Sequence, residues 1–143
     1  MKNIIGSVST YLAATILLSF GFVYLFRNSF MPYHSAAVSL AWTQVNHSTQ
    51  YLFLALMRAT AGGFISLSFA IIFLQYKFTI HKISWIPVLI LVMGTISMIC
   101  TSYATIEVSF HTPGRPPIDD AIIGEVLLIG GFIFNRRYLL KSE

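Results

Sequence analysis

The sequence predicts an all-α, polytopic membrane protein: one bundle of four transmembrane helices with both termini in the cytoplasm. Three observations predict it. The 143 residues are 56% hydrophobic and only 10% charged, whereas soluble domains carry about 25% charged residues. Four apolar stretches of helix-spanning length divide the chain, and a span needs roughly 20 residues. The basic residues are also asymmetric. Lys2, Lys77, Lys82, Arg136, Arg137 and Lys141 fall on one side of a four-span arrangement, and Arg27 and Arg115 on the other. The positive-inside rule then turns the first group toward the cytoplasm.

The first span runs over 4–26 and ends at Arg27-Asn28. No small-residue cleavage site follows it, so it reads as a retained helix rather than a signal peptide. The second occupies 51–74 and is interrupted only by Arg58; a cytoplasmic loop, Gln75–Lys82, follows. The third covers 83–106, with Pro87 in its first turn, where a missing N–H costs little. The fourth covers 118–140. Tyr24, Trp42, Tyr51, Tyr76, Trp85 and Tyr103 lie near the span ends, as interfacial aromatic residues do.

In the first outer loop, Val38, Ala41, Trp42 and Val45 recur with helical spacing opposite Ser35, Ser39, Thr43 and Asn46. This predicts a short amphipathic helix on the membrane surface or over the bundle mouth, flanked by turns at Met31-Pro32 and His47-Ser48-Thr49. The second outer loop, His111–Pro117, holds three prolines and a glycine and is expected to be non-helical.

Arg58 and Glu125 are the informative residues, because an ionisable group inside a span is costly unless paired or hydrated. Each lies seven residues into a span entered from the outer side, about 10 Å deep at helical rise. An Arg58–Glu125 ion pair is the expectation. It either pins two helices or also lines a ligand pocket, and the alternative is an Arg58 that snorkels to the surface. Glu107 and Tyr103 share a face on the same side and join the candidate site. His34, His47 and His111 with nearby acids lack metal-ligand spacing, so no metal or other cofactor is expected. Cys100 reads as a buried, inert thiol. Ala55, Ala59 and Gly63, Gly62 and Ser66, and Gly124 and Gly131 are small residues suited to close helix packing. Enzyme motifs are absent, and the scattered basic residues do not form a nucleic-acid footprint.

Arg58-Ala59-Thr60-Ala61-Gly62-Gly63 before an apolar run, Gly114-Arg115-Pro116-Pro117, and Glu125 within Gly124–Leu128 resemble motifs of an uncharacterised family of small four-helix bacterial membrane proteins. The resemblance covers about the last two-thirds of the chain. Thr101-Ser102 stand where that family carries a basic residue, and the first outer loop is longer here. It implies the four-helix architecture and a bacterial inner-membrane location, and it implies no reaction.

The expected function is therefore non-enzymatic. A polar pocket around Arg58 and Glu125 would bind a small amphiphile or lipid headgroup, or dock a membrane-protein partner or a second copy. Two alternatives stay open: a small oligomeric proton-coupled transporter using Glu125, and an outward-facing membrane enzyme using Glu107, His47 or His111.

Overall fold

A computed structural model describes residues 4–140 of the chain. Five α-helices and one 3₁₀ turn form the fold, with no strand among the described residues: α1 Ile4–Phe26, α2 Pro32–Val38, the 3₁₀ turn Trp42–Gln44, α3 His47–His81, α4 Ile86–His111 and α5 Ile118–Leu140. Of these, α1, α3 and α4 are long and apolar enough to cross a membrane. Lys2 and Lys141, which entered the charge argument, lie outside the described residues.

The four long helices form a ring in which α1 packs against α3 and α5, α5 against α4, and α4 more sparsely against α3. The pairs α1/α4 and α3/α5 are therefore diagonal. Buried positions recur three and four apart, as at Ala121, Gly124, Leu128, Gly131 and Asn135 of α5, the spacing that interlocks helices in left-handed bundles. Small residues set the closest approaches. A Cβ on Gly131 would lie 2.4 Å from Thr10 Oγ1, and one on Gly21 2.6 Å from Ile65 Cγ1. Gly62 and Gly63 instead have nothing within 4 Å, and Ala55, Ala59 and Ser66 are exposed. The small-residue stripe of α3 is thus not a contact within the bundle.

Helix ends explain three departures from the sequence reading. The second span does not stop at Leu74: α3 is 35 residues long, about 52 Å, and absorbs the expected cytoplasmic loop. Gln75 marks a span end by hydropathy, yet it is fully buried. The turn expected at His47–Thr49 is the first turn of α3, because Asn46 Oδ1 accepts from the Thr49 N–H at 2.8 Å and caps the helix. The amphipathic helix expected over Val38–Val45 is likewise absent. Pro32 at N1 starts a helix earlier, and Ser39 (φ 55°) ends it in the left-handed conformation. The segment 112–117 is non-helical, as expected, but α4 runs from Ile86 to His111, past the expected span end at 106 and through the first residue of the expected loop.

Together, α2 and the 3₁₀ turn make a lid over one end of the bundle. Phe30, 4% exposed, is its anchor, with ring centroids 4.7 Å from Trp42 and 4.8 Å from Phe53. The Tyr24 and Tyr33 hydroxyls hydrogen-bond α1 to α2. Gly114 fits the second loop under the lid, where a Cβ would stand 2.8 Å from the Tyr33 carbonyl oxygen.

Candidate functional site

Beneath the lid lies a cavity of about 570 Å³. It exists because α4 leaves the bundle core: its buried residues are Ile86, Pro87, Ile90, Gly94 and Met98, and none follows before its end at His111. The deep wall is apolar, formed by Ile16, Leu17, Phe20, Phe64 and Met98. The lid end is polar, with Tyr24, Tyr33, His34 and Asp120. Exposed residues of α3 (Thr60, Gly63) and α4 (Cys100, Ala104) also line it, so the cavity reaches the bundle surface between these two sparsely packed helices. Cys100 is therefore exposed rather than buried.

One face of α4 runs along the cavity. Ser97, Thr101 and Thr105, spaced by four, all line it, and their hydroxyls make no hydrogen bond among the described residues. Several other helical hydroxyls are used internally. Thr10, Thr15, Ser19, Thr60 and Thr79 each donate to the carbonyl four residues earlier. The cavity thus presents three uncommitted hydroxyls on an otherwise apolar wall.

The lid supplies the titratable group. Burial, and then the Arg27 charge, lower the His34 pKa below its ordinary value. The Met31 N–H points at His34 Nδ1 at 3.4 Å, which suits a neutral ring accepting at that nitrogen. Burial and the hydrogen bond to Tyr24 raise the Tyr33 pKa, so this phenol stays protonated near neutrality.

No protein-family model, curated protein or solved structure matches this chain.

The residues singled out from the sequence do not converge. Arg58 is exposed, and among the described residues it makes no ion pair or hydrogen bond. Glu125 Oε1 instead accepts from Thr95 Oγ1 of α4 at 2.7 Å, while Oε2 is buried without a partner. The expected Arg58–Glu125 pair is not formed, because equal depth did not fix direction. Arg58 follows the buried Met57 by one residue, about 100° around the helix, and α3 stands diagonal to α5. Tyr103 is 67% exposed. Glu107 is also exposed and approaches only His111, Oε2 to Nδ1 at 3.5 Å. Neither lines the cavity. Among the described residues, no three of His, Cys, Asp and Glu come together as metal ligands.

A second polar group was missed entirely. Gln75 and Asn135, both at most 1% exposed, meet across the ring, with Asn135 Nδ2 donating to Gln75 Oε1 at 2.9 Å. Gln75 Nε2 donates on to Ser7 Oγ of α1 at 3.1 Å.

Proposed function

We propose that this chain is a four-span integral membrane protein, N-in and C-in, that binds a single-chain amphiphile in the cavity beneath the α2 lid. It is read as a non-enzymatic protein of a bacterial inner membrane. The observation that carries the reading is the polarity gradient of the cavity. A tail fits against Ile16, Leu17, Phe20 and Phe64, and a polar head fits beside His34, Tyr33 and Asp120. The hydroxyls of Ser97, Thr101 and Thr105 offer donors to ester or amide oxygens between the two. Entry is sideways from the lipid, between α3 and α4. The site therefore differs from the polar pocket around Arg58 and Glu125 that the sequence suggested.

The fourth crossing is α5. Its 23 residues reach about 34 Å, and Asp119-Asp120 and Arg136-Arg137 mark its two ends. Glu125 within it is supported by Thr95, and the motifs around Arg58 and Glu125 support membership in the family of small four-helix bacterial proteins.

Photolabelling tests the site. The protein is reconstituted with a fatty acid bearing a diazirine near its tail, and adducts are mapped by mass spectrometry. Adducts concentrated on Leu17, Phe20, Phe64 and Met98 are expected. Labelling spread evenly over outward residues such as Leu12, Val92 and Ile133 would overturn the proposal.

A proton-coupled transporter is the second reading, favoured by the buried, unpartnered Glu125 Oε2. It requires that a proton gradient drive ligand across liposomes and that Glu125→Gln abolish this flux.

A further inference from the structure

The opposite end of the bundle carries a second, independent feature. A groove of about 250 Å³ lies between the start of α1 and the ends of α3 and α5. Ile4, Val8, Tyr11 and Phe78 give it apolar walls, and Ser7 and Thr79 line it with hydroxyls. Thr79 Oγ1 donates to the Gln75 carbonyl at 2.9 Å. Ser7 Oγ accepts from Gln75 Nε2 and donates to Thr79 Oγ1 at 3.5 Å, since the Thr79 proton is already given to the Gln75 carbonyl. Tyr138 closes the rim, and Lys82 Nζ sits 5.2 Å from the centre of its ring. Lys82 is held there by its backbone, which caps α3 in the left-handed conformation with its N–H on the Phe78 carbonyl.

The described acids Glu107, Asp119, Asp120 and Glu125 all lie in the half that bears the lid, alongside Arg27, Arg58 and Arg115, whereas this end carries Lys77, Lys82, Arg136 and Arg137 with no described acid. None of the four cations forms an ion pair among the described residues. An apolar groove with a cation outside any ion pair at its rim matches one ligand chemistry: an acyl chain joined to a phosphate. We infer that this groove binds one anionic phospholipid from the leaflet on the side of the termini. Its phosphate is held by Lys82, with one chain against Ile4, Val8 and Phe78. Unpaired cations near a membrane surface attract anionic lipids generally; the groove adds a defined seat for one of them.

Native mass spectrometry of the purified protein in mixed micelles of phosphatidylglycerol and phosphatidylcholine tests the inference. One phosphatidylglycerol is expected to survive collision energies that strip phosphatidylcholine. Lys82→Gln is expected to lower that retained fraction at least five-fold. Lys77→Gln removes the same charge from a residue stacked on Phe73, away from the groove, and is expected to leave the fraction within two-fold. Equal retention of the two lipids, an undiminished fraction in Lys82→Gln, or equal losses in both variants would overturn the inference. A Gly63→Trp change in the cavity under the lid is expected to leave this lipid in place, so the two sites are read separately.

Discussion

Asn135 of α5 donates to Gln75 of α3 at 2.9 Å, joining two helices that stand diagonally across the bundle. Polar side chains bridge helices where no water is present to compete, although such bonds average only about 0.6 kcal/mol in a membrane protein. Removing one partner costs more than the bond itself, because the other amide loses part of its solvation in a buried site. Gln75→Leu is expected to destabilise the fold by about 1–2 kcal/mol. The double change Gln75→Leu, Asn135→Leu is expected to cost less than the sum of the singles. Denaturant titration in detergent, read by tryptophan fluorescence, checks both.

The glycines divide into two classes that substitution should separate. At Gly131 a methyl group would meet Thr10 Oγ1 at 2.4 Å and the Thr10 backbone nitrogen at 3.3 Å. Gly131→Ala must therefore push α1 from α5, and it is expected to cost about 1–3 kcal/mol, as overpacking does. Gly62→Ala enters open space and lowers the backbone entropy of the unfolded chain, so it is expected to be neutral or to stabilise by up to about 1 kcal/mol. Melting temperatures of the two variants give the comparison.

Arg58 and Glu125 should behave as independent residues. Arg58→Leu removes an unpaired cation from an exposed position within a span, so it is expected to leave stability unchanged or to raise it. Glu125→Leu removes the acceptor of Thr95 and also a buried, unpartnered oxygen, two opposing effects. In a double-mutant cycle the coupling energy between them is expected to lie within the roughly 0.3–0.5 kcal/mol scatter of non-interacting sites. A coupling above about 1 kcal/mol would restore the ion pair.

The lid should weaken in acid. His34 has a lowered pKa in the folded protein, so between that value and the ordinary 6.5 the unfolded chain binds more protons. Stability is then full above pH 6.5 and falls as pH drops below it. The neighbours that act on His34 are Arg27, whose charge opposes protonation, and the rings of Phe30, Tyr33 and Phe53. Asp120 also lines the cavity. Hydrogen exchange of the 31–39 amides is expected to speed up between pH 7.5 and 5.5, beyond the intrinsic change, and His34→Gln is expected to remove that excess.

Apolar length was enough to locate the four long helices, though not the ends of α3 and α4, because hydrophobic length is a one-dimensional property. α1 and α5 fall where 4–26 and 118–140 were drawn, and Pro87 sits in the first turn of α4. Direction around a helix is a property of the assembled ring. Gln75 and Asn135 therefore looked like span ends until their partners were known, and Arg58 and Glu125 looked like a pair. The lid was misplaced because Pro32 and Asn46 act as helix starts, which outweighs the apolar spacing of Val38, Ala41, Trp42 and Val45. One signal for the cavity was present in the sequence: Ser97, Thr101 and Thr105 recur every four residues within an apolar span.

Cavity occupancy is the most direct test of the amphiphile-binding account. Gly63 lines the cavity and a Cβ there would have nothing within 4 Å, so Gly63→Trp introduces a large side chain at the cavity wall with no clash at its Cβ. Native mass spectrometry of the parent and this variant, purified in the same mild detergent, is the measurement. The account predicts an amphiphile-sized adduct on the parent that is lost from the equally stable variant. An unliganded parent that fails to take up added fatty acid, or an adduct unchanged by Gly63→Trp, would contradict it.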